Sequence, residues 1–245
     1  MTSDLRFYFD PVCPFAWMTS KWVRQVMKQR DYRTQWRFIS LRQVNADVDY
    51  GAHFPRGYED GHTAGLRLLR VCLHVRTKEG NAAVEALYEA LGNKIFESAP
   101  LSQSIAGGGD ERGTIAFAEE ALSAVGLATT YAAAIDDDSL DPLIQVETDE
   151  ALAAAGKDVG TPIIHVDPPH GVAFFGPVIS RLPAENEAAQ LWDHVVGLAR
   201  YQGFAELKRS LRERPQLPAL GVSAGEIGPT EDWSGGSRRT KDQRG

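Results

Sequence analysis

The first forty residues of the chain are typical of a strand, a helix and a second strand, and that order restricts the folds it can adopt. Leu5–Phe9 places three apolar side chains on one face, as a strand with one buried side does. From residue 14 to about residue 30, apolar residues recur at three- and four-residue steps, which predicts an amphipathic helix. Residues 34–40 are a second short run typical of a strand. We therefore expect a βαβ unit with parallel strands and a right-handed crossover.

The middle of the chain has the spacing of helices and no convincing strand. Helical periodicity is found in four segments: 66–75, 84–95, 115–125 and 141–156. Gly126 and Gly156 stand where helix-ending glycines are common. Loops are expected at 45–65 and 99–113.

Sheet character returns in the last third of the chain. The predicted strands are 162–166 and 172–175, joined by a turn at 167–171. The predicted helices are one that starts at Pro183 and a short last one that holds Phe204, Leu207 and Leu211. The final 31 residues contain six glycines, three prolines and three serines, which predicts a disordered tail.

A βαβ unit at the start and a ββα unit at the end enclose the helical segments. This order predicts an α/β protein of thioredoxin-like fold with an inserted all-helical domain, although short strands alone leave other α/β folds open. The predicted domains are a thioredoxin-like domain from 1–44 and 157–214, a helical insertion at 45–156 and a tail at 215–245.

Composition excludes several classes of function. The charge is 26 − 33 = −7, which disfavours binding to nucleic acid or to an anionic membrane surface, because phosphate contacts need a cationic field. There is no run of ~20 apolar residues, and residues 1–6 lack the features of a secretion signal. We therefore expect a cytoplasmic protein. No metal site is expected, since the six histidines are scattered and the two cysteines are far apart.

Cys13 lies where the first predicted strand meets the first predicted helix. Unpaired backbone N–H groups and the positive end of the helix dipole favour thiolate there, and such cysteines can have a pKa of ~3.5–7.5 instead of ~8.5. The alternative is that Cys13 is a small buried apolar residue. The junction favours a reactive cysteine.

Two segments carry a resemblance to a known family. They are residues 9–17, Phe-Asp-Pro-Val-Cys-Pro-Phe-Ala-Trp, and residues 158–166, Asp-Val-Gly-Thr-Pro-Ile-Ile-His-Val, supported by 171–178, 191–193 and 204–209. With these the chain resembles the DsbA-like branch of the thioredoxin superfamily, and within it the mycothiol-dependent nitroreductases of actinobacteria. The match runs from the first strand to about residue 214.

The resemblance implies a set of site residues and a cosubstrate. Cys13 would be the nucleophile, Pro162 would be a cis-proline facing it, and mycothiol or another low-molecular-weight thiol would be the cosubstrate, with no tightly bound cofactor. From the residues alone, Pro162 could equally be a trans proline at a strand edge. The residues expected to bind the thiol or substrate are Pro11, Pro14, Phe15, Trp17, Gly160, Thr161 and Pro162.

One position departs from the family's Cys-Pro-x-Cys motif, because Ala16 stands where the second cysteine belongs. Without a second thiol in the same helical turn, Cys13 cannot form the local disulfide. Exchange with a low-molecular-weight thiol remains open to it, with a second thiol molecule resolving the mixed disulfide. Cys72 is the other candidate for that role, but its neighbours Leu68, Leu69 and Val75 indicate a packed helix face.

Three functions follow. The first is a thiol-dependent oxidoreductase that reduces an electrophile such as a nitro compound or a mixed disulfide. The second is a thiol transferase or isomerase similar to the kappa-class glutathione transferases, in which a serine stands where Cys13 is. The third is a binding protein that kept the fold and lost turnover. Partners would be small molecules, and a homodimer stays open.

Several side chains have two interpretations. Phe15 and Trp17 could stack on an aromatic substrate, or Trp17 could belong to the core. His165 lies within a predicted strand, where local packing is the simpler role. Four basic residues lie in or near a loop that can cover the cysteine in this fold, although a solvated loop is the default: His53, His62, Arg67 and Arg70.

Overall fold

The computed structural model describes residues 4–98, 109–156, 159–209 and 211–232. The strands are β1 Leu5–Phe9, β2 Thr34–Phe38, β3 Ile163–Val166, β4 Val172–Phe175, β5 Leu211–Glu213 and β6 Thr230–Asp232. The helices are α1 Pro14–Met27, α2 Leu41–Val44, α3 Tyr50–His53, α4 Tyr58–Glu79, α5 Asn81–Phe96, α6 Ile115–Ala124, α7 Asp141–Ala155 and α8 Glu185–Arg200. Short 3₁₀ segments occur at Glu111–Gly113, Thr129–Asp136, Asp138–Leu140 and Pro218–Leu220.

Four strands form the central sheet, in the order β2-β1-β3-β4. The first two strands are parallel and are joined through α1, whereas β3 pairs antiparallel with both β1 and β4. A parallel βαβ unit therefore shares its sheet with a ββα unit that ends in α8, which is the topology of a thioredoxin-like fold. The fold predicted from the sequence is confirmed.

Both faces of this sheet are covered. The alternation of β1 turns Leu5, Phe7 and Phe9 to one face, where they join the main core. Tyr8 points to the other face and packs with Ile163 and with Ala151 of α7. The helical segments between β2 and β3 thus supply one cover of the sheet and add their own apolar side chains to the core.

Helices also close the outer edge of β2. The N–H of Trp36 donates to Oδ1 of Asn81, that of Phe38 to Oε2 of Glu147, and that of Ser40 to Oγ1 of Thr148, at 2.9, 3.0 and 3.0 Å. Unpaired edge groups are a template for unwanted pairing, and here α5 and α7 satisfy them.

The helical middle of the chain differs from its prediction in one place. The expected loop at 45–65 contains α3 and the first turns of α4, which begins at Tyr58. Glu59 and Asp60 lie in that first turn, where acidic side chains stabilise the positive end of a helix. Of the loop expected at 99–113, residues 99–108 lie outside the described residues.

Two predictions for the C-terminal part were wrong. No helix forms around Phe204 and Leu207, and Leu207 is 78% exposed, so that a helix would have no core to pack on. Part of the expected tail is ordered: β5 pairs with β6, and Leu217 is buried in the main core. Residues 233–245 lie outside the described residues.

Among the residues described, no helix is long and apolar enough to cross a membrane.

Candidate active site

Cys13 occupies the N-cap of α1, directly after the turn that ends β1. Its backbone is extended, with φ −85° and ψ 114°, and Pro14 takes the first helical position, where a missing N–H costs nothing. The N–H of Ala16 donates to Cys13 Sγ at 3.4 Å. The sulfur therefore takes the place of a capping side chain on one of the helix's unpaired N–H groups, as expected from its place in the sequence.

The sheet register brings Thr161 to the same place. Because β3 runs antiparallel to β1 with Ile163 opposite Tyr8, the residues just before β3 lie beside the end of β1. The Cys13 thiol donates to the carbonyl of Thr161 at 3.5 Å, across 148 positions of sequence. The Thr161 hydroxyl in turn donates to the carbonyl of Tyr8 at 3.1 Å.

Pro162 follows a cis peptide bond, in agreement with the family pattern. Its carbonyl accepts the N–H of Gly176 at 2.9 Å, and the carbonyl of Pro177 accepts the Thr19 hydroxyl of α1 at 2.8 Å. The segment 171–178 is therefore tied both to Pro162 and to the helix that Cys13 begins. Gly160, just ahead, is half-buried and has open space where a Cβ would stand.

Burial dominates the acidity of Cys13. The residue is 6% exposed, and loss of hydration raises the pKa of its thiol to about 12. The hydrogen bond from the Ala16 N–H lowers the pKa of Cys13, whereas the negative charge of Asp10 raises it further. The expectation of a lowered pKa was wrong, because the helix end does not compensate for a site closed by α1, β3 and the helical segments.

Asp10 is a residue of this site that the sequence reasoning missed. Its side chain is fully buried at the end of β1, where Oδ1 accepts the N–H of Val12 at 3.0 Å and Oδ2 that of Leu41 at 2.8 Å. Burial raises the pKa of its carboxyl to about 6. The sequence holds one indication of this role, because an Asp at the start of a turn commonly accepts a hydrogen bond from the N–H of the residue two positions later.

Trp17 belongs to the core. Its indole N–H donates to Glu97 at 2.7 Å, and its ring lies against Tyr88 and Phe96, with centroids 5.8 and 6.5 Å away. Gly92 of α5 makes room for the ring, because a Cβ there would lie 2.1 Å from it. Trp17 thus fixes α1 against α5 and is not available to stack on a substrate.

The other predicted binding residues stay near the sulfur. Pro11 is buried in the turn before Cys13, and Pro14 and Phe15 are half-buried in the first turn of α1. Phe15 also packs against the main core. These three residues thus lie beside Cys13 along the chain, and the Gly160–Pro162 segment meets its sulfur through the Thr161 carbonyl, whereas the Trp17 ring packs against Tyr88 and Phe96.

The second cysteine is embedded in the protein. Cys72 lies in the middle of α4 with no exposed surface, and it and Cys13 are both free thiols. Ala16, where the family motif has its second cysteine, is also fully buried.

The remaining candidates have structural roles, apart from His53, which is exposed at the end of α3. His165 lies opposite Arg6 in the register of β3 with β1 and is buried, and Arg67 and Arg70 form ion pairs with Asp136 and Asp141. His62 is hydrogen bonded through Nδ1 to the Tyr50 hydroxyl at 2.9 Å, and burial lowers its pKa to about 4. Within the described ranges, no group of three or more His, Cys, Asp or Glu side chains is placed to hold a metal ion.

Comparison with known proteins adds the family to this geometry. Residues 12–209 match the model of the family described as Rv2466c-like, Mycothiol-dependent nitroreductase Rv2466c. The chain belongs to this family. Its resemblance to the mycothiol-dependent nitroreductases is thereby confirmed, and the family is one of thiol oxidoreductases. The matched residues include Cys13, Thr161 and Pro162.

Individual proteins with sequences or structures similar to this chain were also found. A Mycobacterium tuberculosis protein named Uncharacterized protein Rv2286c is 31% identical over 214 residues, which cover 87% of this chain and 82% of that one. A probable DsbA oxidoreductase from Streptomyces coelicolor, SCO1869, is 13% identical with a TM-score of 0.49, covering 88% and 98% of the two chains. The disulfide oxidoreductase DsbA from Proteus mirabilis is 16% identical with a TM-score of 0.46, covering 80% and 86%.

Proposed function

We propose that this protein is a thiol oxidoreductase that works with one cysteine. Cys13 is the nucleophile, and a low-molecular-weight thiol, mycothiol in the family's chemistry, is the cosubstrate. The substrate is an electrophile such as a nitro compound or a mixed disulfide. The reaction takes place in the cytoplasm, where such thiols are kept reduced.

The position of the Cys13 sulfur is the observation that carries this proposal. The sulfur lies between the Ala16 N–H of α1 and the carbonyl of Thr161, which precedes the cis bond to Pro162. A negative sulfur gains from the helix end, and a sulfur-bound partner lies along the backbone of Thr161. Pro11, Pro14, Phe15 and the Gly160–Pro162 segment form the surface proposed to hold the thiol.

The exchange steps balance without a second protein thiol. The Cys13 thiolate attacks the R sulfur of a mixed disulfide X–S–S–R, a Cys13–S–S–R bond forms, and the proton that Cys13 loses goes to the departing X–SH. A second R–SH then attacks the R sulfur, which releases R–S–S–R and returns the proton to Cys13. For a nitro compound, two thiols become one disulfide and give two electrons and two protons, so that the nitro group becomes nitroso and water is released.

The same site also favours a second candidate, a thiol transferase or isomerase. Its basis is the neutral, buried state of Cys13 together with Ala16 in place of a second cysteine. In that mechanism Cys13 hydrogen bonds to the thiol of the cosubstrate and forms no bond with it.

Intact-mass analysis after incubation with oxidised mycothiol tests the proposal. One mixed disulfide at Cys13 is expected, and added reduced mycothiol should release it. The Cys13→Ser variant should form none. Absence of any adduct in the unaltered protein, with retained affinity for reduced mycothiol, would overturn the oxidoreductase in favour of the transferase.

A further inference from the structure

The side chain of Asp10 joins three parts of the protein at the candidate site. Its Oδ1 accepts the N–H of Val12, which lies in the turn that carries Cys13, and its Oδ2 accepts the N–H of Leu41, the first residue of α2. The backbone carbonyl of Asp10 accepts the N–H of Cys13 itself at 3.1 Å. Any shift of the carboxylate therefore moves the turn in which the sulfur is held.

The third part is α4. Gly65 of this helix lies so close to the carboxylate that a Cβ added there would be 2.4 Å from Oδ1 and 2.8 Å from Val12. A glycine is thus required at this position to admit the acidic side chain. Such a close fit, with the side chain fully buried, holds the carboxylate in one position.

The charge of Asp10 is balanced by dipoles more than by a cation, because its carboxylate oxygens accept from two backbone N–H groups. Arg112 is the cation whose charge acts on it, and the Arg112 guanidinium is itself bound to Asp110. The charge of Asp10 also acts on three neutral groups of α3, α4 and α5, whose pKa values are raised mainly by burial: Tyr50, Cys72 and Tyr88. Hydrogen bonds from two N–H groups stabilise the negative charge of Asp10 but do not remove it, and this charge contributes to the raised pKa of the Cys13 thiol.

We propose that Asp10 is a positioning residue for Cys13: its carboxylate fixes the turn that holds the sulfur, and its charge opposes formation of the thiolate. The proposal rests on the proposed function for its consequence in catalysis. When a thiol attacks the R sulfur of Cys13–S–S–R, Cys13 leaves as a thiolate, and a thiolate that is disfavoured leaves slowly. Asp10 therefore holds the protein in its mixed-disulfide form until the cosubstrate is abundant.

The test measures the reaction of Cys13 with methyl methanethiosulfonate, a small neutral thiol reagent, from pH 5 to pH 9. Peptide mass spectrometry separates Cys13 from Cys72. Asp10→Asn removes the charge. Asp10→Ser also removes the charge and keeps an oxygen that can accept the Val12 N–H. This variant allows the same comparison if Asp10→Asn does not fold. The matched control is Ser40→Ala, which removes the hydroxyl that caps α2 at the Gln43 N–H without changing any charge.

In the unaltered protein the rate should change tenfold per pH unit above pH 7 and less steeply below it, because protonation of Asp10 near pH 6 makes the thiolate less unfavourable. In both Asp10 variants the slope should be uniform, and the rate at pH 8 should rise roughly tenfold, the effect of about one pKa unit. Ser40→Ala should keep the change of slope. A variant that only loosened the turn would raise the rate at every pH, and its rate would still show the change of slope.

Two results would overturn the proposal: an Asp10 variant that retains the change of slope, or loss of that change in Ser40→Ala. Labelling by this reagent needs no cosubstrate, so the outcome is independent of whether mycothiol reacts at Cys13. If the profiles behave as expected and no mycothiol adduct forms, the proposed function fails while the role of Asp10 stands.

Discussion

The two cysteines of this protein are alike in burial and in thiol pKa but differ in where they lie in a helix. Cys13 and Cys72 are both free and buried, and burial raises the pKa of each thiol to about 12. Cys13 caps a helix, with the Ala16 N–H on one side and the Thr161 carbonyl on the other. Cys72 lies within α4, and its helical neighbours Leu68, Leu69 and Val75 are fully buried.

This difference separates a reactive thiol from an inert one. In the middle of a helix every backbone N–H is already bonded to a carbonyl, whereas the first turn has N–H groups to spare. A negative sulfur, or one bonded to a partner, can therefore be accommodated at Cys13 while the fold stays intact. At Cys72 the same chemistry would require the core to open.

The largest expected effect is complete loss of the mixed disulfide in Cys13→Ser. Serine preserves the cap of α1 but lacks the nucleophilic sulfur, so the fold should remain and turnover should fall to background. Cys72→Ala is the matched variant and should form the adduct as before. Intact-mass spectra after incubation with oxidised mycothiol make the comparison, and an adduct that moves to Cys72 would break the distinction between the two cysteines.

The parts of the molecule that could be predicted from sequence are those fixed by local pattern. Strand β1, helix α1 and the turn between them follow from residues adjacent in sequence, and so does the position of Cys13. The pairing of β5 with β6 joins segments separated by a long, glycine-rich stretch, and composition alone indicated disorder there. Leu217 becomes a core residue only because the rest of the fold offers it a buried place.

The acidity of Cys13 was missed for a similar reason. A helix end can be recognised in a sequence, whereas the loss of hydration at that end depends on β3, α4 and the Thr161 segment, which are distant in sequence. Asp10 reaches Leu41 across 31 positions, and its partner could not be inferred from the turn alone.

In the native state at pH 8, Cys13 should be labelled on the order of a thousandfold faster than Cys72, because local motion costs far less free energy than unfolding of the core. Cys13 keeps 6% of its surface exposed in the folded protein, so that a small reagent needs only local motion to reach it. Cys72 requires the core to unfold, and its rate should rise with urea in proportion to the fraction unfolded, while that of Cys13 changes little. Peptide mass spectrometry after iodoacetamide treatment gives both rates, and equal urea dependence would contradict this view.

Restoring a second thiol beside Cys13 should change the product. In Ala16→Cys the new thiol lies in the same helical turn, so it should attack the Cys13 mixed disulfide and release the low-molecular-weight thiol, leaving a disulfide within α1. The expected spectrum shows a mass two hydrogens lower than the reduced variant and no lasting adduct. The unaltered protein is the control, because its Cys72 should not resolve the adduct. Persistence of the adduct in Ala16→Cys would mean that the first turn of α1 holds the two sulfurs apart.

The smallest effect is expected from Cys72→Ala on stability, and its pH dependence follows from the same burial. Loss of a buried sulfur should lower the free energy of unfolding by roughly 1–2 kcal/mol at pH 7, through lost contacts and the cavity left behind. The Cys72 pKa is raised from its ordinary value of 9 to about 12, so the thiol contributes stability that is fully present below pH 9 and is lost as the pH rises towards 12. The alanine variant lacks this titration, and the gap between the two proteins should therefore narrow above pH 9. Urea unfolding at pH 7 and pH 10 measures it, and a gap that widened at pH 10 would mean that Cys72 is held as a thiolate in the folded protein.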